Sequence, residues 1–432
     1  MVRDLERTRS TSPFPTSAPA ANAVFYRTYS RRGLKETNLR ETWDEVSDRT
    51  LGGLVELGKL SANEADLIRR MQRELKSLPS GRWLWVGGTD WIRKPENFSG
   101  AYNCTSTNVT DWRAFGLMMD LAMMGCGTGA VLEPKYIQQL PKIRNSIAIT
   151  MRGEIGATPK PERHDRTTVN ISGNQVEILV GDSRQGWVSS YQTLLELSSD
   201  DRFTDTVQVT IDLSNVRPAG ETLSGFGGVA NPVRLPGLYE RCAKILNRAI
   251  NRQLTSVECC LLIDEAAVTI VAGNIRRSAG MRQGSSEDAA FATAKENLWQ
   301  QDSEGNWRID PDRDSLRMAN HTRVFHRKPT PEECTEAVRK QYYSGEGAIQ
   351  WAGEAIARSN RDLLNTPQLK TDFLKAYSQG NGQDWLQQHA PDLTEAELSH
   401  RLGRYGLNPC GEILGENFHC NLAEIHLNQL DP

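Results

Sequence analysis

The chain has 432 residues, 51 Lys and Arg against 54 Asp and Glu, a formal net charge of −3 and 38% hydrophobic residues. That length allows a large core and more than one domain, while the charge balance lacks the basic excess of a nucleic-acid binder and no apolar stretch is long and uncharged enough to span a bilayer. Eight cysteines are too few for a disulfide scaffold, no C-x-x-C spacing marks zinc, and the N-terminus lacks the apolar core of a secretory signal, so a cytoplasmic protein with reduced thiols is expected.

Residues 1–22 are Ser, Thr, Pro, Ala and Arg for the most part and read as a tail, with structure expected from AVFYRTYSRR at 23–32. Helical spacing runs through 41–59 on Trp43, Val46, Leu51, Leu54 and Leu57. Ser61-Ala62-Asn63-Glu64 is a capping box opening a second helix with apolar face Leu67, Ile68, Met71 and Leu75, stopped by Pro79 and Gly81. GRWLWVGGTDW (81–91) reads as a strand, and LMMDLAMMG (117–125) as a buried helix running into GCGTGA (125–130). Beyond residue 133 the β-branched runs NSIAIT, TTVNIS and NQVEILVG are followed by a helix at GWVSSYQTLLELS and a strand at TVQVTIDLS. A glycine-rich loop at 216–232 precedes helices at 236–254 and 256–272, and the second ends at Gly273 before a basic loop, NIRRSAGMRQGS. Residues 331–405 are mainly helical and polar, and 407–432 alternate apolar with polar.

The chemistry concentrates in LNPCGEI (407–413). Cys410 alone could be a core thiol. In an extended segment, however, Asn408, Cys410 and Glu412 would share one face. An orienting amide, a sulfur and a proton acceptor would then meet one small volume, which suits chemistry on a polyol carbon. No His lies within the segment, and His419 and His426 offer no evident pairing with Cys410, so a thiol protease gains no local support. GCGTGA follows a helix and fails the context test for a dinucleotide fingerprint, and no G-x-x-x-x-G-K-[ST] occurs. Arg276 and Arg277 could bind phosphate or be solvated, and both readings stand. Cys242, Cys259, Cys260 and Cys334 receive no role, and no metal-ligand set is read.

LNPCGEI together with CNLAEIHLNQLDP resembles the active-site region of ribonucleotide reductases. FYRTYSRR, RETWDEV, LWVGGTDW, SGAYNCTSTNV, VGDSRQGW, NVRPAGETLSGFGG, VAGNIRRSA and GLNPCGEI stand in the order of the class II, adenosylcobalamin-dependent ribonucleoside-triphosphate reductases, so the resemblance covers residues 23 to 432. It implies an α/β fold: a ten-stranded α/β barrel, incomplete here, begun by residues 81–432. An N-terminal helical region (23–80) precedes it, an α+β insertion (133–255) interrupts it, and 407–420 form the active-site loop and strand.

By that resemblance Cys410 becomes a thiyl radical that removes the 3′ hydrogen of the substrate ribose. Glu412 takes the 3′-hydroxyl proton, and Asn408 holds the ribose hydroxyls. Cys104 protonates the departing 2′-hydroxyl and ends in a disulfide with Cys420. Asn103, Ser106, Gly125, Gly127 and Gly129 line the substrate, and Asn274, Arg276, Arg277, Ser278, Arg282 and Gln283 belong to a mobile loop relaying effector identity. Adenosylcobalamin is the implied cofactor, ribonucleoside triphosphates the substrates, deoxynucleoside triphosphates the effectors and thioredoxin the final reductant. Neither nucleic acid nor membrane is an implied partner, and an insertion that imitates a dimer partner implies a monomer.

Two features depart from the family. The chain ends soon after Cys420, so a portion inactive alone is expected, and 362–403 is longer than the family's connection there. A class I large chain or a dimeric class II diphosphate reductase would share Asn-x-Cys-x-Glu. A non-catalytic nucleotide-binding remnant is the other alternative, against which the intact Cys104, Asn408, Cys410, Glu412 and Cys420 count.

Overall fold

The computed structural model describes residues 14–32, 40–223, 229–272 and 279–430. Internal contacts divide the chain into two units, Met1–Asn103 with Ser224–Phe226 and Cys420–Pro432, and Cys104–Leu223 with Gly227–His419.

In the first unit, helix Trp43–Gly58 is opened by a capping box between Thr42 and Glu45, and helix Ala62–Arg73 by the expected one between Ser61 and Glu64. The second helix buries Ala65 and Gln72, whose Nε2 donates to Thr50 Oγ1 at 2.8 Å, and leaves Leu67 exposed. The chain then turns at Leu75, which is left-handed (φ +59°), and strand Ser77–Pro79 pairs antiparallel with Ala423–Ile425. Part of the expected tail is structured: Phe14 is buried against Phe25 (ring centroids 5.4 Å apart) and Trp43 (5.6 Å), and helix Pro19–Val24 follows it. GRWLWVGGTDW is two short helices, Gly81–Val86 and Asp90–Arg93, not a strand. Ser80 caps the first by accepting from the Trp83 N–H, and Trp83 Nε1 donates to Thr50 O at 2.9 Å. The four-residue apolar run WLWV fits either period, and here the cap and the tryptophan anchor select the helix.

The second unit is built on a sheet, five strands of which run parallel in the order Ala348–Trp351, Asn320–Phe325, Gly280–Ser285, Gly127–Val131, Cys104–Asn108. Helix Trp112–Met123 makes one crossover, and helix Pro331–Ser344 another. Residues Ser106, Gly129, Met281 and Asn320 stand in register, as do Asn108, Val131, Gln283 and Thr322. Strand alternation therefore puts Cys104, Ser106, Asn108, Gly127, Gly129, Gln283, Thr322 and Gln350 on one face. The opposite face packs on helices; there Arg282, fully buried, donates to Asp264 Oδ1 (2.8 Å) on helix Ser256–Ala272 and to Thr128 O (2.8 Å). No closed barrel forms among the described residues.

The insertion forms a four-stranded sheet ordered Ser146–Arg152, Thr206–Asp212, Gln175–Leu179, Thr168–Ser172, the first three parallel and the last a hairpin. Helices Arg184–Leu197 and Leu235–Asn247 cover it. The second helix stops seven residues short of the expected end, as the chain turns through a left-handed Asn251 (φ +68°). One apolar cluster joins Ile178, Val209, Tyr191 and Leu194 to Phe115, Met118 and Met119 of the crossover helix, so the insertion shares the core of the sheet that it interrupts. The long segment 362–403 supplies helices Pro367–Ser378, Gly382–His389 and Glu395–Gly403. These pack Phe373, Leu386 and Leu398 with Ile356 and Tyr405. No helix among the described residues is long and apolar enough to cross a membrane.

His321 lies on the helix-covered face, stacked on Phe291 at 4.9 Å, and neither ring nitrogen has a partner among the described residues. Burial, with Lys295 and Arg282 nearby, lowers its pKa to about 3. The unfolded chain therefore binds this proton first. The contribution is complete above the unfolded value near 6.5 and declines as pH falls towards 3, by up to roughly 1.4 kcal/mol per pH unit. H321F should flatten the stability slope between pH 6 and 4 in urea titrations; an unchanged slope would contradict the assignment.

Candidate active site

LNPCGEI forms the tip of a short hairpin in which Gly406–Leu407 pairs antiparallel with Leu414–Gly415. Asn408 O accepts from the Gly411 N–H at 2.9 Å, closing a turn with Pro409 at its second position and a left-handed Gly411 (φ +76°). The segment is thus a turn, not the extended strand expected, and the three side chains do not share a strand face. Asn408 is fully buried, and its Oδ1 accepts from the Ile413 N–H at 3.1 Å, bracing the tip from inside. Cys410 and Glu412 are left exposed on the turn.

The hairpin lies directly on the sheet face that carries Cys104. The Cys104 and Cys410 sulfurs are 3.9 Å apart, and no disulfide links the described cysteines. This approach is possible because the sheet is glycine there. A Cβ on Gly127 would stand 2.9 Å from Cys104 Sγ and 3.0 Å from Pro409 Cγ; one on Gly129 would stand 2.8 Å from Thr105 O and overlap Leu407 O. A Cβ on Gly406 would meet Ser106 Oγ at 2.7 Å. Of the glycines expected to line substrate, Gly127 and Gly129 therefore seat the hairpin, and Gly125 (φ +70°) makes the turn out of the preceding helix. Ser106 Oγ is buried without a hydrogen-bond partner among the described residues. In the first unit, Asn103 N–H donates to Cys420 O (2.9 Å) and Asn103 Oδ1 accepts from Leu422 N–H (3.1 Å), holding the segment that bears the buried Cys420.

Two residues expected in the mobile loop are elsewhere. Arg282 and Gln283 lie on strand Gly280–Ser285, fully buried, Arg282 in the ion pair with Asp264 and Gln283 beneath the hairpin. Polar strand residues find partners across the sheet that a basic run in sequence does not reveal. Asn274, Arg276, Arg277 and Ser278 lie outside the described residues.

The sequence reading missed the anchors of the hairpin. Before it, Tyr405 OH donates to Glu133 Oε2, and Glu133 Oε1 is 2.7 Å from His326 Nε2. After it, Glu416 Oε1 accepts from Asn108 Nδ2 at 2.9 Å, and Glu416 Oε2 is 3.1 Å from His400 Nδ1. Burial, then the Glu133 charge, raises the Tyr405 phenol far above its ordinary range, so it remains a donor at physiological pH. Burial also holds Lys135, which lies 4.8 Å from the centroid of the Tyr405 ring, below the usual lysine value. No motif links these residues in sequence; they meet only at the hairpin's two feet.

This architecture resembles part of the fold of a class II ribonucleotide reductase. A crystal structure of a B12-dependent (class II) ribonucleotide reductase matches with a TM-score of 0.58 at 21% identity, over 77% of this chain and 49% of that one. Residues 146–245 match the family model for the insertion domain of B12-dependent ribonucleotide reductase.

Among curated proteins the chain resembles adenosylcobalamin-dependent ribonucleoside-triphosphate reductases. The protein of Lactobacillus helveticus is 29% identical over 93% of this chain and 54% of its own length. That of Levilactobacillus brevis is 29% identical over 63% and 42%, and that of Lactobacillus leichmannii 26% over 63% and 42%. The chain spans about half the length of the curated relatives it matches.

G129A should destabilise the protein by roughly 1–3 kcal/mol, because its methyl would drive the hairpin off the sheet. G52A, on an exposed helix position with nothing within 4 Å of the new methyl, should be neutral or stabilising by up to about 1 kcal/mol. Urea denaturation measures both, and equal effects would refute the seating argument.

Proposed function

We propose that this chain forms the thiol-bearing part of a ribonucleoside-triphosphate reductase that makes 2′-deoxyribonucleoside triphosphates for DNA synthesis. The supporting observation is the pair of sulfurs, Cys104 and Cys410, 3.9 Å apart on a glycine-seated turn that also carries Glu412. The exposed Cys410 thiol fits adenosylcobalamin, which when bound supplies a radical by cobalt–carbon homolysis. The Cys410 thiyl then removes the 3′ hydrogen of the ribose while Glu412 takes the 3′-hydroxyl proton. Cys104 gives its proton to the 2′-hydroxyl, which leaves as water. Cys420 supplies the hydrogen that C2′ receives, so that Cys104 and Cys420 give up two electrons and become a disulfide; Glu412 returns its proton to the 3′ oxygen, and Cys410 returns the hydrogen to C3′. The sum is one C2′ hydroxyl replaced by hydrogen, one water formed and two thiols oxidised. Thioredoxin restores the thiols by exchange. Deoxynucleoside triphosphates bind beside the insertion as effectors in a monomeric, cytoplasmic enzyme.

The full protein, assayed anaerobically with adenosylcobalamin and a dithiol, should convert ribonucleoside triphosphates to their 2′-deoxy products in preference to diphosphates. C410S and E412Q should each lower kcat by about a thousandfold or more. Turnover that survives C410S would overturn the proposal, and a diphosphate preference would move it to the diphosphate branch.

A further inference from the structure

A two-residue ladder is too short to hold a hairpin in place by itself. The hairpin's first strand receives instead what a neighbouring strand would supply, from two side chains. Gln283 Oε1 accepts from the Leu407 N–H at 2.7 Å. Gln283 Nε2 donates to Gln350 Oε1 (2.6 Å) and to Tyr405 O (3.3 Å), and Gln350 Nε2 donates to Tyr405 O at 2.9 Å. The carbonyl of residue 405 and the N–H of residue 407 are the two backbone groups that a strand presents on one side around residue 406. The linked amides satisfy both. Gln283 is fully buried, so a shift of the hairpin by one residue would leave its polar atoms unpaired at a cost of about 1–3 kcal/mol each.

We propose that Gln283 and Gln350 are positioning residues which act as a substitute strand, fixing the register of the Cys410 turn against Cys104. Cys410 follows Leu407 by three residues with Pro409 between, so registration at Leu407 carries to the sulfur with little slack. Both glutamines stand on the same sheet face as Cys104, Gly127 and Gly129, and the clamp and the glycine seat constrain the hairpin from the same side. The catalytic meaning of this spacing rests on the proposed radical chemistry, but the spacing can be measured without it.

The test uses dibromobimane, whose two bromomethyl arms each lose bromide to a thiolate and which fluoresces once both have reacted. Peptide mapping quantifies the Cys104–Cys410 product. The unaltered protein should form this product readily. Q283L and Q350L should each slow its formation about tenfold. T322V is the matched control: Thr322 is buried in register with Gln283 and bonds Met281 Sδ, not the hairpin. It should lower thermal stability and leave the cross-linking rate unchanged. An unchanged rate in folded Q283L or Q350L, or an equal drop in T322V, overturns the proposal. Should Q283L not fold, the half-buried Gln350 decides through Q350L. If the cross-linking pattern holds but the full protein has no reductase activity, the clamp stands and the functional reading falls.

Discussion

The close approach of one hairpin to one sheet face organises the second unit. A turn bearing Cys410 can rest within 3.9 Å of Cys104 only because residues 127 and 129 of the neighbouring strand carry no side chain. Elsewhere a glycine in a strand weakens it by roughly 0.5–1 kcal/mol through lost chain entropy. Two in one five-residue strand are tolerated because the strand is buried on both sides and parallel-paired on both edges.

What lies on that face is polar, and its cost is met by pairing. Asn408 braces the turn, Gln283 and Gln350 meet the backbone before it, and Glu133 and Glu416 take its two feet. A buried polar group without a partner costs more than a made hydrogen bond contributes. Such a network therefore favours one arrangement strongly over its neighbours in register. The opposite face follows the same rule with an ion pair, Arg282 on Asp264, inside the helical layer. Cys410 and Glu412 remain outside the network, exposed on the turn.

The insertion and the helices of 362–403 both contribute to this frame. The insertion extends the core behind the crossover helix, so its loss would expose Phe115, Met118 and Met119. The helical segment delivers Tyr405 to the foot of the hairpin, which gives the extra length in that connection a structural role.

Much of this was legible in sequence where the signal is local. The capping box of Ser61 and Glu64, the buried helix at 117–125 and the alternating strands of the insertion are set by side-chain period and by groups three residues apart. The ordered motifs pointed to the relatives that the chain resembles, whereas the shared strand face expected for Asn408, Cys410 and Glu412 gave way to a turn that buries Asn408 and exposes the other two. The GRWLWV helices and the buried Phe14 escaped, since a short apolar run has no period of its own and a lone aromatic in a polar stretch finds its core only on folding. Sequence by itself determined where the thiols, the amide and the acid stand along the chain. Tertiary structure alone decided that GCGTGA seats the hairpin, that Gln283 is a clamp and not loop, and that Asn408 points inward. Each of these depends on a contact between segments more than a hundred residues apart or on a turn closed by Pro409 and Gly411, and spacing in a sequence carries no record of distance in space.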